Sequence, residues 1–233
     1  MSGFRDIHGH FIYGVDDGAQ TREDMIAMLD AAHADGVDRL FATSHATPGA
    51  ERFKMDRYER HLKMAREYCD SKDYGMTIYS GAEILYTPLL KQPALEHELP
   101  TMGDMDTILI EFVPKTPFSE LMSALDLVTH CGYNPIIAHI ERYECMYHGN
   151  AYRVKNEYDV RFQVNCHTVI TNRGLLKKRE VQGWFDDHII DFVASDAHNC
   201  ASRRTRMREA YEALKDDFGP RYAAKLVGLN YKK

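Results

Sequence analysis

The sequence predicts an α/β barrel of parallel strands, with a metal site at the strands' C-terminal ends. Three observations lead there. Strand-like and helix-like patterns alternate along all 233 residues, and no repeat, low-complexity tract or Pro/Gly linker divides them. The strand-like segments are short and number seven. Each ends in a polar or acidic residue suited to metal or phosphate chemistry, and four of those ends carry histidine: Asp6-Ile7-His8-Gly9-His10, Thr43-Ser44-His45, Gly81-Ala82-Glu83, Ile110-Glu111, Ala138-His139, Val164-Asn165 and Ser195-Asp196-Ala197-His198. Barrels of this kind carry their reacting groups at the C-terminal ends of the strands. A set of such endings spread over the whole chain therefore implies one multi-metal site.

The elements follow in order. Phe4 to His8 reads as the first strand. Thr21 with Asp24 forms an acidic capping box, and Met25, Met28, Leu29 and Ala32 give the helical stripe that Gly36 stops. Leu40 to Thr43 is strand two, Met55 to Cys69 a helix rich in i,i+4 charges, Thr77 to Tyr79 the start of strand three, and Thr107 to Ile110 strand four. Pro117 to Cys131 is a helix with Pro117 in its first turn and Gly132 as its stop. Strands five, six and seven are Pro135 to Ala138, Phe162 to Val164 and Ile189 to Ala194. Helices over Ser202 to Phe218 and Pro220 to Val227 close the chain, with Gly228 after the second.

The length suits one domain spanning residues 1–233. Hydrophobic residues make up 44% and charged residues 27%, enough for a sizeable core. A net charge of −6 and a pI near 6.0 argue against a nucleic-acid or anionic-membrane surface. No apolar run approaches the ~20 residues of a membrane span, and the polar start gives no secretory signal. The cysteines (69, 131, 145, 166 and 200) are odd in number and form no CxxC, which points to a reducing cytoplasm rather than a disulfide framework.

The chemistry follows from residue type. In a strand, residues i and i+2 share a side, so His8 and His10 can approach one ion together, and Asp196 and His198 repeat that spacing. Imidazole suits zinc, manganese or iron, and carboxylates can bridge two ions. Glu83 and Glu111 end otherwise apolar strands, where cations would offset their desolvation. Asp16-Asp17-Gly18 can supply a further oxygen ligand from its loop, through either acid. Arg142 and Arg203 follow His139 and His198 closely and suit bidentate phosphate binding, with Arg173 a weaker candidate. His33, His61, His97, His130 and His188 read as solvated, and His148 and His167 fall near the expected mouth without a role. Cys200-x5-Arg206 has the spacing of a cysteine-nucleophile phosphatase, but it lacks the glycine that such an amide cradle calls for.

Taken together, Asp6-Ile7-His8-x-His10, Val15-Asp16-Asp17-Gly18, Thr43-Ser44-His45, Gly81-Ala82-Glu83-Ile84, Leu109-Ile110-Glu111-Phe112, Ile137-Ala138-His139-Ile140-Glu141-Arg142-Tyr143 and Ala194-Ser195-Asp196-Ala197-His198-Asn199 resemble the polymerase-and-histidinol-phosphatase (PHP) superfamily. More narrowly, they resemble its bacterial protein-tyrosine phosphatases of capsule and exopolysaccharide operons. The resemblance implies a distorted TIM-like (β/α)7 barrel and three divalent ions, manganese foremost, with zinc or iron as alternatives. His8, His10, Glu83 and Asp196 would hold the first ion. Glu83 would bridge to a second with Glu111 and His139. Asp17, His45 and His198 would take the third, with Asp16 competing for the place of Asp17. Arg142 and Arg203 would grip the phosphate. Two segments depart from the pattern: Ala46-Thr47-Pro48-Gly49 lacks basic or aromatic residues, and the chain stops at Asn230-Tyr231-Lys232-Lys233.

The implied activity is metal-assisted hydrolysis of phosphotyrosine by in-line attack of activated water, with Asp17 or a metal-bound water as the acid if one is needed. The implied substrate is the tail of a cytoplasmic tyrosine kinase controlling polysaccharide chain length or export, with no nucleic acid, no membrane insertion, and self-association left open. Histidinol-phosphate phosphatase, a PHP-type phosphodiesterase or nuclease, and a non-catalytic scaffold are the alternatives.

Overall fold

Seven parallel strands, each hydrogen-bonded to the next in chain order, form the sheet that carries the site: β1 Phe4–Asp6, β2 Val37–Ala46, β3 Thr77–Leu85, β4 Thr107–Glu111, β5 Asn134–Ile137, β6 Arg161–Asn165 and β7 Phe192–Ala194. The computed structural model describes residues 3–48, 55–103, 105–171 and 176–229. The sheet curls nearly shut. Beyond β1, Gly9 bridges in parallel to Ala197 beyond β7. There the His10 amide donates to the Ala197 carbonyl (2.8 Å) and the Asp196 amide to the His8 carbonyl (2.9 Å). The expected seven-unit barrel is present, distorted at this seam, where β1 and β7 have three residues each and β1 shifts register between Phe4 and Arg5. Around it lie α1 Arg22–Asp35, α2 Met55–Ser71, α3 Lys91–Leu95, α4 Phe118–His130, α5 Asn150–Glu157, α6 Cys166–Thr171, α7 Leu176–Asp186, α8 Met207–Phe218 and α9 Pro220–Leu226.

Side-chain alternation along the strands divides the core in two. Phe41, Leu109, Ile136 and Ala194 join Ile7, Met102 and Ala138 in a small cluster across the barrel interior. Their neighbours Leu40, Ala42, Ile108, Ile110, Ile137 and Val193 belong to the larger cluster beneath the helices. This period of two also places the site. Two residues beyond Leu109 is Glu111, and two beyond Ala194 is Asp196. Four beyond Phe41 is His45, and four beyond Tyr79 is Glu83. The interior face is thus apolar low in the barrel and ligand-bearing at its C-terminal end.

Several boundaries differ from the sequence expectation. β1 stops at Asp6 rather than His8, because the next residues bond to the ends of β2 and β7 instead of continuing the ladder. β2 and β3 run further than expected, so His45 and Glu83 lie inside strands, with Ala46 after the first and Ile84-Leu85 after the second. β7 begins at Phe192, not Ile189. Pro117 is the cap before α4 rather than part of its first turn. α8 starts at Met207, not Ser202. The Asn199 side chain accepts from the Ala201 and Arg203 amides and closes a turn there, while Asp35 accepts from the Met207 amide at 2.6 Å and caps the helix from α1.

The predicted α1 signals are all present. Thr21 and Asp24 form the reciprocal capping box, and Gly36 is left-handed at φ 97°. Among the described residues, no helix is long and apolar enough to cross a membrane. Arg173, Gly49 and Asn230 to Lys233 lie outside the described residues.

Candidate metal centre

All nine residues expected as metal ligands converge at one end of the barrel. Eight of them fall into overlapping groups whose ligand atoms lie within 4.8 Å of one another: His8, His10, Glu83 and Asp196; His10, Asp17, His45 and His198; and His45, Glu83 and Glu111. The ninth, His139, joins them through Glu83. The first group is wholly buried. Glu83 is the hub. Its Oε2 lies 3.2 Å from His8 Nε2, 3.2 Å from His10 Nε2 and 3.1 Å from His45 Nδ1. Its Oε1 lies 2.7 Å from His139 Nε2. His139 also faces Glu111 Oε2 at 3.8 Å, but His45 approaches Glu111 more closely, at 3.0 Å. His45 therefore stands between the groups that the resemblance assigns to the second and third ions.

For four of the five cluster histidines, hydrogen bonding identifies which ring nitrogen is turned inward. His8 Nδ1 is engaged by Gln163 Oε1 (3.1 Å), His10 Nδ1 by Asp16 Oδ2 (2.7 Å), His139 Nδ1 by the Tyr143 hydroxyl (3.0 Å) and His198 Nδ1 by the Asp196 carbonyl (2.9 Å). Each of these imidazoles thereby turns Nε2 toward the centre, the arrangement in which an outer partner orients a ligating ring. The Nε2 atoms of His8, His10 and His198 are buried with no hydrogen-bond partner among the described residues. Those of His8 and His10 lie 3.2–3.6 Å from carboxylate oxygens of Glu83 and Asp196, within ion-pair distance but without hydrogen-bond geometry. Two ligands held roughly 2.0–2.2 Å from one ion are themselves separated by about 3.0–3.5 Å. The spacing and the orphaned nitrogens together fit a shared cation.

The electrostatics agree. Burial alone would raise the Glu83 carboxyl, but His8, His10 and His139 hold it well below the usual range. Burial likewise opposes ionisation of Asp196, and His8, His10 and Arg142 override it. His10 is the mirror image: burial lowers it, while Asp16, Asp196 and Glu83 raise it well above an ordinary imidazole. His198 is pushed down to about 4 by burial, His10 and Arg203. This compensation of buried carboxylates by neighbouring positive charge is the role that cations also fill.

The two acids of the Asp16-Asp17 pair have different roles. Asp16 is an outer partner, bonded to His10, to the His45 amide (2.9 Å) and to the Gly18 amide (3.0 Å), and His10 and these amides hold it down at about 2 against its burial. Asp17 faces the cluster, 3.4 Å from His198 Nε2 and 3.5 Å from His45 Nε2. Gly18 is required because a Cβ there would lie 2.1 Å from the His10 carbonyl oxygen.

Two cluster residues hold unusual backbone. His139 has φ 28° and Asp196 φ 53°, a region that L residues seldom occupy and that often marks functional sites. Arg142 and Arg203 both reach Asp196, at 2.6 Å and 3.0 Å. They line a cleft of about 210 Å³ opening from the cluster.

Gln163 and Tyr143 join the site without having been expected there. Gln163 Oε1 also accepts from the His139 amide (2.8 Å), and its Nε2 donates to Asn165 Oδ1 (2.7 Å), whose Nδ2 donates to Asp196 Oδ2 (2.8 Å). The available signal was a glutamine between the apolar Phe162 and Val164 of a strand-like run, since an amide buried there needs partners. Among the unassigned histidines, His33, His97, His130 and His188 are exposed as expected, His61 is half-buried, and exposed His167 lines the cleft. Cys200 is exposed, and its thiol is raised by partial burial and by Asp24 and Asp30, the opposite of an activated nucleophile.

A seven-strand parallel barrel with clustered histidines and carboxylates at its C-terminal end defines the class as a distorted TIM-like (β/α)7 barrel with a candidate metal site. The family model for capsular polysaccharide synthesis, CpsB/CapC, matches residues 4–233, and the chain belongs to that family. It is 30% identical to the tyrosine-protein phosphatase CpsB of Streptococcus pneumoniae, over 98% of this chain and 96% of the relative. It is 29% identical to the tyrosine-protein phosphatase YwqE of Bacillus subtilis, over 92% and 85% respectively. It also superposes, with TM-score 0.83 and 25% identity over 98% of this chain and 96% of the other, on a crystal structure from the work on YwqE and CpsB, described as metal-dependent tyrosine phosphatases. The resemblance read from the motifs therefore holds.

Proposed function

We propose that this chain is a metal-dependent protein-tyrosine phosphatase acting on a capsule-assembly protein. The observation that carries this reading is the set of buried imidazole nitrogens around Glu83 and Asp196 that have no hydrogen-bond partner among the described residues, next to a cleft walled by Arg142 and Arg203. The relatives named above act on phosphotyrosine by name, and the present residues suit that reaction.

His8, His10, Glu83 and Asp196 would hold one ion; Glu83, Glu111 and His139 a second; Asp17, His45 and His198 a third; manganese is the metal we favour. Bound there, the ions would lower the pKa of water and neutralise phosphoryl charge. The protein's own part is positional. Arg142 and Arg203, both anchored on Asp196, present guanidinium forks where the equatorial oxygens would sit. Asp17, at the open side and 3.9 Å from Arg203, would hold a proton near the leaving phenolate if one is needed. Phenolate leaves readily, so little acid assistance is required. The substrate we infer is the tyrosine-bearing tail of a cytoplasmic kinase, which can enter the open mouth as an extended segment.

Turnover of a phosphotyrosine peptide and of histidinol phosphate, with added manganese and with chelator, tests this on the parent chain and on Cys200→Ser. Manganese-dependent peptide hydrolysis that survives Cys200→Ser is expected. Preference for histidinol phosphate, or loss of activity in Cys200→Ser, would overturn the reading.

A further inference from the structure

The cleft holds more positive charge than one phosphate monoester uses. Arg142, Arg203, Arg204 and Arg206 all line it, in a chain whose net charge is −6. Arg142 and Arg203 are committed to Asp196. Arg206 is committed to Glu209, with Nε at 2.9 Å and Nη2 at 2.6 Å. Arg204 differs. It is exposed, and among the described residues it has no carboxylate within the 4.0 Å of an ion pair. The two acids whose fields it feels, Asp35 and Glu209, are already occupied, Asp35 by the Met207 and Arg208 amides and Glu209 by Arg206.

Position makes this charge useful. Arg204 and Arg206 line both the cleft and an adjoining groove of about 450 Å³ that runs past Asp35 and Arg208. A peptide whose phosphotyrosine occupies the cleft would lay its neighbouring residue along that path and across Arg204.

We propose that Arg204 is a specificity-determining residue that reads an acidic side chain beside the phosphotyrosine of a peptide substrate. The inference rests on the phosphatase reading above and deepens it by naming a substrate class. The contact is a solvent-exposed ion pair between guanidinium and carboxylate. Its effect is therefore modest, local and screened by salt.

The test measures kcat/KM on two phosphotyrosine peptides that differ only in carrying Glu or Gln on both sides of the phosphotyrosine. The Glu-to-Gln ratio on one enzyme preparation is the readout, so folding and metal loading cancel. The parent chain is expected to favour the Glu peptide by about three- to fivefold at low salt, with the ratio shrinking as salt rises. Arg204→Gln should bring the ratio close to one, and Arg204→Glu should favour a Lys-flanked peptide instead. Turnover of both peptides without discrimination by the parent chain, or an unchanged ratio in Arg204→Gln, overturns this inference alone. Absence of turnover on either peptide overturns it together with the phosphatase reading.

Discussion

The two halves of the candidate metal centre are built differently. The inner half, His8, His10, Glu83 and Asp196, is no more than 3% exposed at any residue and is held by strand ends and a chain of side-chain hydrogen bonds. The outer half, Asp17, His45 and Glu111, is partly open: Asp17 is 63% exposed, His45 35% and Glu111 15%. Desolvated ligands with fixed rings bind a cation with little left to organise, whereas a solvated carboxylate on a loop must be ordered on binding. The inner half should therefore hold its metal through dilution, and the outer half should exchange with solvent ions and admit the substrate.

The largest effect should come from breaking the inner half. Asp196→Asn keeps the side-chain size, and asparagine tolerates the left-handed backbone at φ 53°. The change removes the charge that His8, His10, Arg142 and Arg203 all face. Turnover of a phosphotyrosine peptide should fall at least about a thousandfold, with the circular dichroism spectrum retained. Near-normal turnover would mean that the inner half is a structural ion-pair cluster.

A smaller effect should follow from loosening the inner half without touching a ligand. Gln163→Leu removes the acceptor for His8 Nδ1 and for the His139 amide, and breaks the link through Asn165 to Asp196. Manganese binding to chelator-stripped protein, measured by calorimetric titration, should weaken about 10–100-fold. Unchanged affinity would show that packing alone orients His8.

The same contrast explains what was legible in the sequence. The candidate ligands stood out because charged groups ending apolar runs are costly without a counter-charge, and strand periodicity brought them to one face. The capping box at Thr21 and Asp24 and the Gly36 stop were readable because they are local. The end of β1 was not, because it depends on bonds from His8 and His10 to Asp196 and Ala197, almost the whole chain away. The start of α8 was hidden for the same reason, its cap being Asp35 on α1. The choice between Asp16 and Asp17 could not be made from adjacent acids. It took the 2.7 Å contact between Asp16 and His10 Nδ1 to show which one turns away. Gln163 lay within a strand pattern and acts through residues that are distant in sequence.

The smallest of these effects should appear in the outer half. Asp17 contributes one exposed carboxylate oxygen, facing His45 and His198 at 3.5 Å and 3.4 Å, while His45 and His198 keep their other contacts when it is removed. Asp17→Asn should therefore weaken metal binding at the open side by about tenfold, as expected for one solvated ligand among several. Activity lost at low manganese should return substantially as manganese is raised, unlike in Asp196→Asn. If Asp17 also holds the proton for the leaving group, a further deficit will remain at saturating manganese, larger for a poor leaving group such as an alkyl phosphate than for an aryl phosphate. Full rescue on both substrates would confine Asp17 to metal binding. No rescue on either would place it with the inner half and erase the distinction between the two.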